Sequence, residues 1–169
     1  MVDIINKVQR SGLVTLDLED YFPKEIKLFD LKENLFQGLV LREKEFREFL
    51  KRHDWTQYTD KPTAIFCSTD AIIPTWAYML VMTYLTPVTN DACIGTESEL
   101  MSQYYKKIVT KLVKEDYKDV RVVIKGCGNK EVPLSAYGDI VSYLQNTVKS
   151  LMFGEPCSTV PLYKMKKNV

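Results

Sequence analysis

A chain of 169 residues, 46% apolar and 27% charged, has the composition of a globular protein of one domain and is long enough to bury a core without disulfides or metals as staples. Its formal charge of +1 gives no basic face for a polyanion, which argues against nucleic-acid binding. The opening residues Met1 to Lys7 carry no basic segment leading into a long apolar core, so no secretory signal is expected and the cytoplasm is the expected compartment. In a reducing compartment the four cysteines read as ligands, nucleophiles or core filler rather than as two disulfides.

Taken in order, Asp3 to Arg10 fits a short helix ended by Gly12. Val14, Leu16 and Leu18 then alternate with Thr15, Asp17 and Glu19, the pattern of a strand buried on one face. Ile26 to Leu31 is a weaker strand after the Tyr21-Phe22-Pro23 break, and the two strands could form a hairpin or an edge addition. From Arg42 the spacing of Phe46, Phe49, Leu50 and His53 is helical.

Pro62 opens a strand that runs to about Cys67. Asp70 is placed to cap the apolar helix that follows, with Pro74 in its first turn and Pro87 ending it. The apolar run Ile72 to Leu85 is about 14 residues, short of the roughly 20 that a membrane span needs, so no membrane association is predicted. Ala92 to Gly95 is a short strand, and Thr96 with Glu99 three positions on forms a capping box for a helix with Met101, Tyr104, Ile108 and Leu112 facing inward. Val120 to Lys125 is the next strand. Pro133 starts a helix with Leu134, Tyr137, Ile140, Val141 and Leu144 inward, and a last strand at Ser150 to Phe153 runs into a stiff loop holding Pro156, Cys157 and Pro161.

From Pro62 onward strands and helices alternate, which predicts an α/β fold: a mainly parallel sheet with helices on both faces. The predicted layout is one domain over residues 1–169, with 1–60 as an N-terminal helix and strand extension packed on a 61–163 core, and 164–169 as a basic tail that frays. No internal repeat or linker is evident.

In an open parallel sheet every strand ends along one edge, where such folds bind ligands. Cys67, Cys127 and Cys157 each follow a predicted strand, so a shared site is expected there, whereas Cys93 lies inside a strand and reads as core. Three thiolates suit zinc or an iron-sulfur cluster. No CxxC pair supplies the familiar spacing. His53, the one histidine, is the fourth ligand candidate, set against its more ordinary role as a satisfied core or capping residue; Asp54, Asp70 and Glu155 are the carboxylate substitutes.

The rival chemistry is nucleophilic, with Cys67 or Cys157 as the attacking thiol and Lys125 or His53 favouring the thiolate. The repeated Cys-Ser-Thr places Ser68, Thr69, Ser158 and Thr159 to bind an anion or an acyl oxygen. No Walker A loop, GxSxG, HExxH or GxGxxG occurs, so nothing supports an ATPase, serine hydrolase, zincin or dinucleotide enzyme.

The stretches Ser11–Asp20, Phe36–Leu39, His53-Asp54-Trp55, Pro74–Met79, Lys125–Gly128 and the Cys157 loop together resemble an uncharacterised bacterial family, domain of unknown function 2480. The resemblance covers essentially the whole chain. It implies a cytoplasmic protein of one domain, and an association with iron-sulfur cluster assembly, whose proteins would be the partners; no activity comes with it. Cys67, Cys127, Cys157 and His53 are the motif positions it marks.

Overall fold

The computed structural model describes residues 12–126, 128–155 and 157–166. They form β1 (Leu13–Asp17), β2 (Lys27–Asp30), β3 (Leu35–Phe36), β4 (Val40–Leu41), α1 (Glu43–Arg52), β5 (Thr63–Phe66), α2 (Thr75–Leu85), β6 (Ala92–Ile94), α3 (Glu97–Lys111), β7 (Arg121–Lys125), α4 (Leu134–Leu144), β8 (Ser150–Glu155) and β9 (Ser158–Lys164). The helix expected over Asp3 to Arg10 lies outside the described residues, as does Cys127. No helix among them is long and apolar enough to cross a membrane.

The fold is α/β with mostly parallel pairing, but the parallel strands divide between two sheets where one was expected, and β3 and β4 pair as a separate antiparallel ribbon. One sheet has the order β2-β5-β6, all parallel; the other has the order β1-β7-β8-β9, parallel except for the β8–β9 hairpin. The chain accordingly divides into two compact units, one of Pro23–Tyr104 and one of the residues before Pro23 together with those from Tyr105 onward. β1 and β2 do not pair with each other: Leu16 aligns with Ile124 in one sheet and Phe29 with Ile65 in the other. Each is an edge addition. A single edge carrying every strand end is thereby lost, because Cys67 follows a strand of one sheet and Cys157 sits between two strands of the other.

The units repeat each other. The turns Trp55–Tyr58 and Lys114–Tyr117, the strands β5 and β7, the helices α2 and α4 and the strands β6 and β8 recur at a spacing of 59 residues, the distance from Pro74 to Pro133. Asp60 and Asp119, at the same spacing, both take left-handed backbone, with φ of 56° and 58°. Buried positions recur with them: Ala77, Val81 and Leu85 on α2 match Ala136, Ile140 and Leu144 on α4. On the preceding helices Phe46 and Leu50 match Tyr105 and Val109. The first strands complete the correspondence, since Asp30 aligns with Phe66 and Asp17 with Lys125, and each aspartate caps a following 3-10 turn. One unit thus interrupts the other in sequence, entering after the turn Leu18–Tyr21 and leaving within α3. This internal repeat corrects the expectation of none.

Local chemistry explains these elements. Thr63, Ala64 and Ile65 are all buried because β5 is the inner strand of its sheet, and parallel sheets bury both faces. The capping box on α3 forms as expected: Thr96 N–H donates to Glu99 at 2.7 Å and Glu99 N–H to the Thr96 hydroxyl at 3.3 Å. The buried stripe of that helix is Leu100, Met101, Tyr105 and Val109, continued by Leu112 just past its end, and it is rotated from the predicted one so that Tyr104 and Ile108 are only half-buried. Asp70 does not cap α2, which begins after Pro74 without a side-chain cap. Leu134, expected inward, is 86% exposed at the first position of α4. The stiff loop expected at Cys157 is the tip of the β8–β9 hairpin, in which Glu155 pairs with Ser158.

Candidate functional site

Two groups of polar side chains gather where parallel strands end, one in each unit.

In the unit of Pro23–Tyr104 the group surrounds Cys67, the residue after β5. Cys67 is half-buried, packs against the apolar cluster that includes Phe29, Ile65 and Ala77, and has the hydroxyl of Thr69 3.9 Å from its sulfur. Asp30, at the end of the neighbouring strand, accepts from Ser68 N–H at 3.0 Å and from Lys32 N–H at 3.0 Å. Burial resists ionisation of Asp30, but hydrogen bonds from the Ser68 side chain and the Lys32 and Ser68 backbones outweigh it and hold the carboxyl below its ordinary pKa. Asp30 is therefore anionic, and it fixes the backbone immediately after Cys67. Tyr78, on the first turns of α2, packs against the same apolar cluster. Its hydroxyl is held above the ordinary tyrosine pKa by burial first, then by the nearby Cys67 and Asp30.

His53 takes its place in an aromatic box. Its ring centre lies 4.8 Å from Trp55, 5.1 Å from Phe49, 5.6 Å from Phe29 and 5.7 Å from Tyr58. Nε2 shares a hydrogen bond of 3.1 Å with the Tyr58 hydroxyl, and burial lowers the imidazole pKa, with Asp54 opposing. This nitrogen is committed to a phenol. Asp54 caps the turn Trp55–Tyr58 through Thr56. The groove along α1 that His53 shares with Phe49 and Arg52 is lined by no thiol.

In the other unit the group surrounds Lys125, the last residue of β7. Its ammonium lies 3.2 Å from Glu155 and 3.5 Å from Asp17, the Glu155 hydrogen bond raising its pKa most. The Glu155 contact ties the end of β7 to the hairpin that carries Cys157, whose thiol is exposed. Ser158 is exposed on that hairpin, and the Thr159 hydroxyl is turned to the Met152 sulfur at 3.7 Å. Glu19 accepts from the backbone N–H groups of Gly128 and Asn129, and Lys130 donates to the Glu19 carbonyl at 2.9 Å. Tyr137 donates to the carbonyl of Gly126.

Of the proposed ligand set, Cys67 and His53 belong to one unit and Cys157 to the other, while Cys127 lies outside the described residues. Among the described residues no three His, Cys, Asp or Glu side chains gather to hold a metal ion. Among those residues no donor set fitted to zinc or an iron-sulfur cluster is present. Cys93 is buried in β6, as expected of core filler.

Tyr78 and Asp30 escaped the sequence reading. Tyr78 lies within the stretch Pro74–Met79 with nothing local to mark it, and Asp30 lies 37 residues before Cys67; the signal that connects them is the 59-residue repeat, which pairs Tyr78 with Tyr137 and Cys67 with Gly126.

No curated protein and no solved structure matches the chain. A family model described as Protein of unknown function (DUF2480) matches residues 2–165, and the chain belongs to that family.

Proposed function

We propose that the protein works through Cys67, as a thiol nucleophile toward an acyl or anionic substrate bound where β5 ends. One observation carries this reading: Cys67 follows the inner strand of an all-parallel sheet, at a position where the repeated unit has Gly126. The fold builds this strand end without a side chain in one unit, so the thiol in the other is not a structural requirement. Ends of inner parallel strands are where α/β folds hold reacting groups. Thr69 supplies a hydroxyl 3.9 Å from the sulfur and Tyr78 packs against the same apolar cluster, while Asp30 fixes the loop that carries the thiol. A nucleophilic thiol needs hydrogen-bond donors within reach of the oxygen that becomes negative during acyl transfer.

The test is acylation by p-nitrophenyl acetate followed by peptide mapping. The Cys67 sulfur would form the S–acetyl bond and p-nitrophenolate would leave with the electron pair. Acetyl is expected on Cys67 of the native protein, and not on Cys67→Ser. Native protein that leaves Cys67 unmodified would overturn the reading. Stoichiometric zinc or iron in anaerobically prepared protein, lost together with Cys67, Cys127 or Cys157, would replace it with a metal-binding or iron-sulfur accessory role alongside cluster-assembly proteins.

A further inference from the structure

The two units differ at one sheet edge. In the unit that contains β7, β8 lies beside that strand and is covered on its far side by β9, with Leu151 opposite Tyr163 and Phe153 opposite Val160. β6 stands in the same place beside β5: Ala64 aligns with Cys93 and Ile65 with Ile94, as Val123 aligns with Met152 and Ile124 with Phe153, each 59 residues on. Gly95 and Gly154, also 59 apart, both have positive φ, at 149° and 120°. The two strands are therefore built alike as far as that glycine. Yet β6 pairs with β5 alone.

The bonds to β5 define the open side of β6. Thr63 N–H donates to the Asp91 carbonyl at 2.8 Å and Gly95 N–H to the Ile65 carbonyl at 2.9 Å. In a parallel ladder this alternation turns the main-chain groups of Cys93 toward β5 and those of Ala92 and Ile94 away from it. Among the described residues, the N–H and C=O groups of Ala92 and Ile94 accordingly have no hydrogen-bond partner. The Ile94 side chain is 47% exposed. Other outer strands carry residues that discourage further pairing: Pro161 and Lys164 on β9, Lys27 and Asp30 on β2, and Asp17 on β1. β6, with the sequence Ala-Cys-Ile, carries no charge and no proline.

We propose that β6 is a homodimerisation edge: β6 of a second copy pairs with it antiparallel about a two-fold axis, joining the two sheets in the order β2-β5-β6-β6-β5-β2. The strand is complementary to itself. Centred on Cys93, the pairing sets Ala92 of each copy opposite Ile94 of the other, and each such pair exchanges its N–H and C=O groups, which are otherwise left open. The exposed Ile94 side chain then lies beside the small Ala92. Asp91 falls opposite Gly95, so no like charges meet across the axis. A pairing of identical patches closes at two copies, which consumes the open edge instead of passing it on. Because the second sheet runs antiparallel to the first, the two Cys67 positions lie at opposite edges of the joined sheet. The proposal does not depend on the reading of Cys67 as nucleophile.

The experiment combines molar mass by light scattering with amide hydrogen exchange at Ala92 and Ile94 read by NMR, both at about 500 μM, a concentration suited to a small interface. Wild type is expected to reach twice the 19.6 kDa of the chain. Its Ala92 and Ile94 amides are expected to exchange at least roughly tenfold more slowly than in unstructured chain. Ala92→Pro removes an N–H that faces away from β5 and leaves the bonds to β5 in place, so this variant is expected to fold and to remain at 19.6 kDa. Wild type that stays at 19.6 kDa overturns the proposal and leaves the edge to a strand of a different protein. A wild-type dimer whose Ala92 and Ile94 amides exchange as fast as unstructured chain also overturns it, and that measurement does not depend on the folding of the variant. Folded Ala92→Pro that is still dimeric does the same.

Discussion

The Tyr137 hydroxyl donates to the carbonyl of Gly126, the residue that follows β7, and takes the space a side chain at position 126 would need. Gly126 also has φ of 155°, a conformation costly for residues with a Cβ. Gly126→Ala is therefore expected to lower stability by about 2 to 4 kcal/mol in urea unfolding. Gly138→Ala, on α4 with nothing within 4 Å of the added carbon, is expected to raise it by about 0.5 to 1 kcal/mol. Equal effects of the two would contradict this account of the strand end.

The repeat itself can be tested by paired truncation. Leu85 and Leu144 are both fully buried at the last position of their helices, 59 residues apart. Leu85→Ala and Leu144→Ala are each expected to cost about 2 to 5 kcal/mol, and to do so to similar extents, by the same loss of contacts and the same cavity. A cost below about 1 kcal/mol for either would show that its helix is not seated as described.

How much of this was legible in the sequence depended on how local each signal was. The capping box of Thr96 and Glu99 and the alternation of Val14 and Leu16 are short-range patterns, and they predict their elements within a residue or two. Strand order is set by packing among distant segments, so one parallel sheet and two could not be told apart from the pattern. The repeat was hidden for a related reason. Its identities, among them Tyr58 with Tyr117, Ile65 with Ile124, Tyr78 with Tyr137 and Leu85 with Leu144, are scattered, and the first strand of one copy is separated from the rest by the whole of the other. His53 had the helical spacing of an inward residue and does turn inward, but toward Phe29, Trp55 and Tyr58. Spacing reports a face and not a neighbour. Cys67 was found because it follows a strand; Asp30 and Tyr78 reach it only through the fold.

Alkaline pH should unfold the protein partly through Tyr117. Burial, with Tyr21 and Asp116 adding, pushes its hydroxyl from 10.0 up to about 12. The folded state holds this proton more tightly, so the stabilisation is complete below pH 10 and is lost as pH rises through about 12. Two pKa units correspond to about 3 kcal/mol. Urea midpoints measured from pH 9 to 12 are expected to fall in wild type and to fall less in Tyr117→Phe; parallel curves would contradict the assignment.

Asp30 works in the opposite sense. Its folded pKa is depressed, so its contribution is present above the unfolded carboxyl pKa and is lost as pH falls through the folded value. Asp30→Ala removes the acceptor for both Lys32 N–H and Ser68 N–H and is expected to cost about 1 to 2 kcal/mol at neutral pH, with a smaller difference from wild type in acid. The difference is measured by urea unfolding at pH 7 and pH 3. A difference that does not shrink in acid would show that the carboxylate charge plays no part.

The central claim is that the fold activates Cys67, and the ratio of native to unfolded alkylation rates at each thiol tests it most directly. An inert thiol reacts more slowly when folded, in proportion to its burial. Cys93, buried in β6, is expected to give a ratio far below one, and Cys157, exposed at the hairpin tip, a ratio near one. Cys67 is half-buried, so burial alone would place it between them. The account predicts a ratio above one at Cys67, and a ratio below that of Cys157 would contradict it.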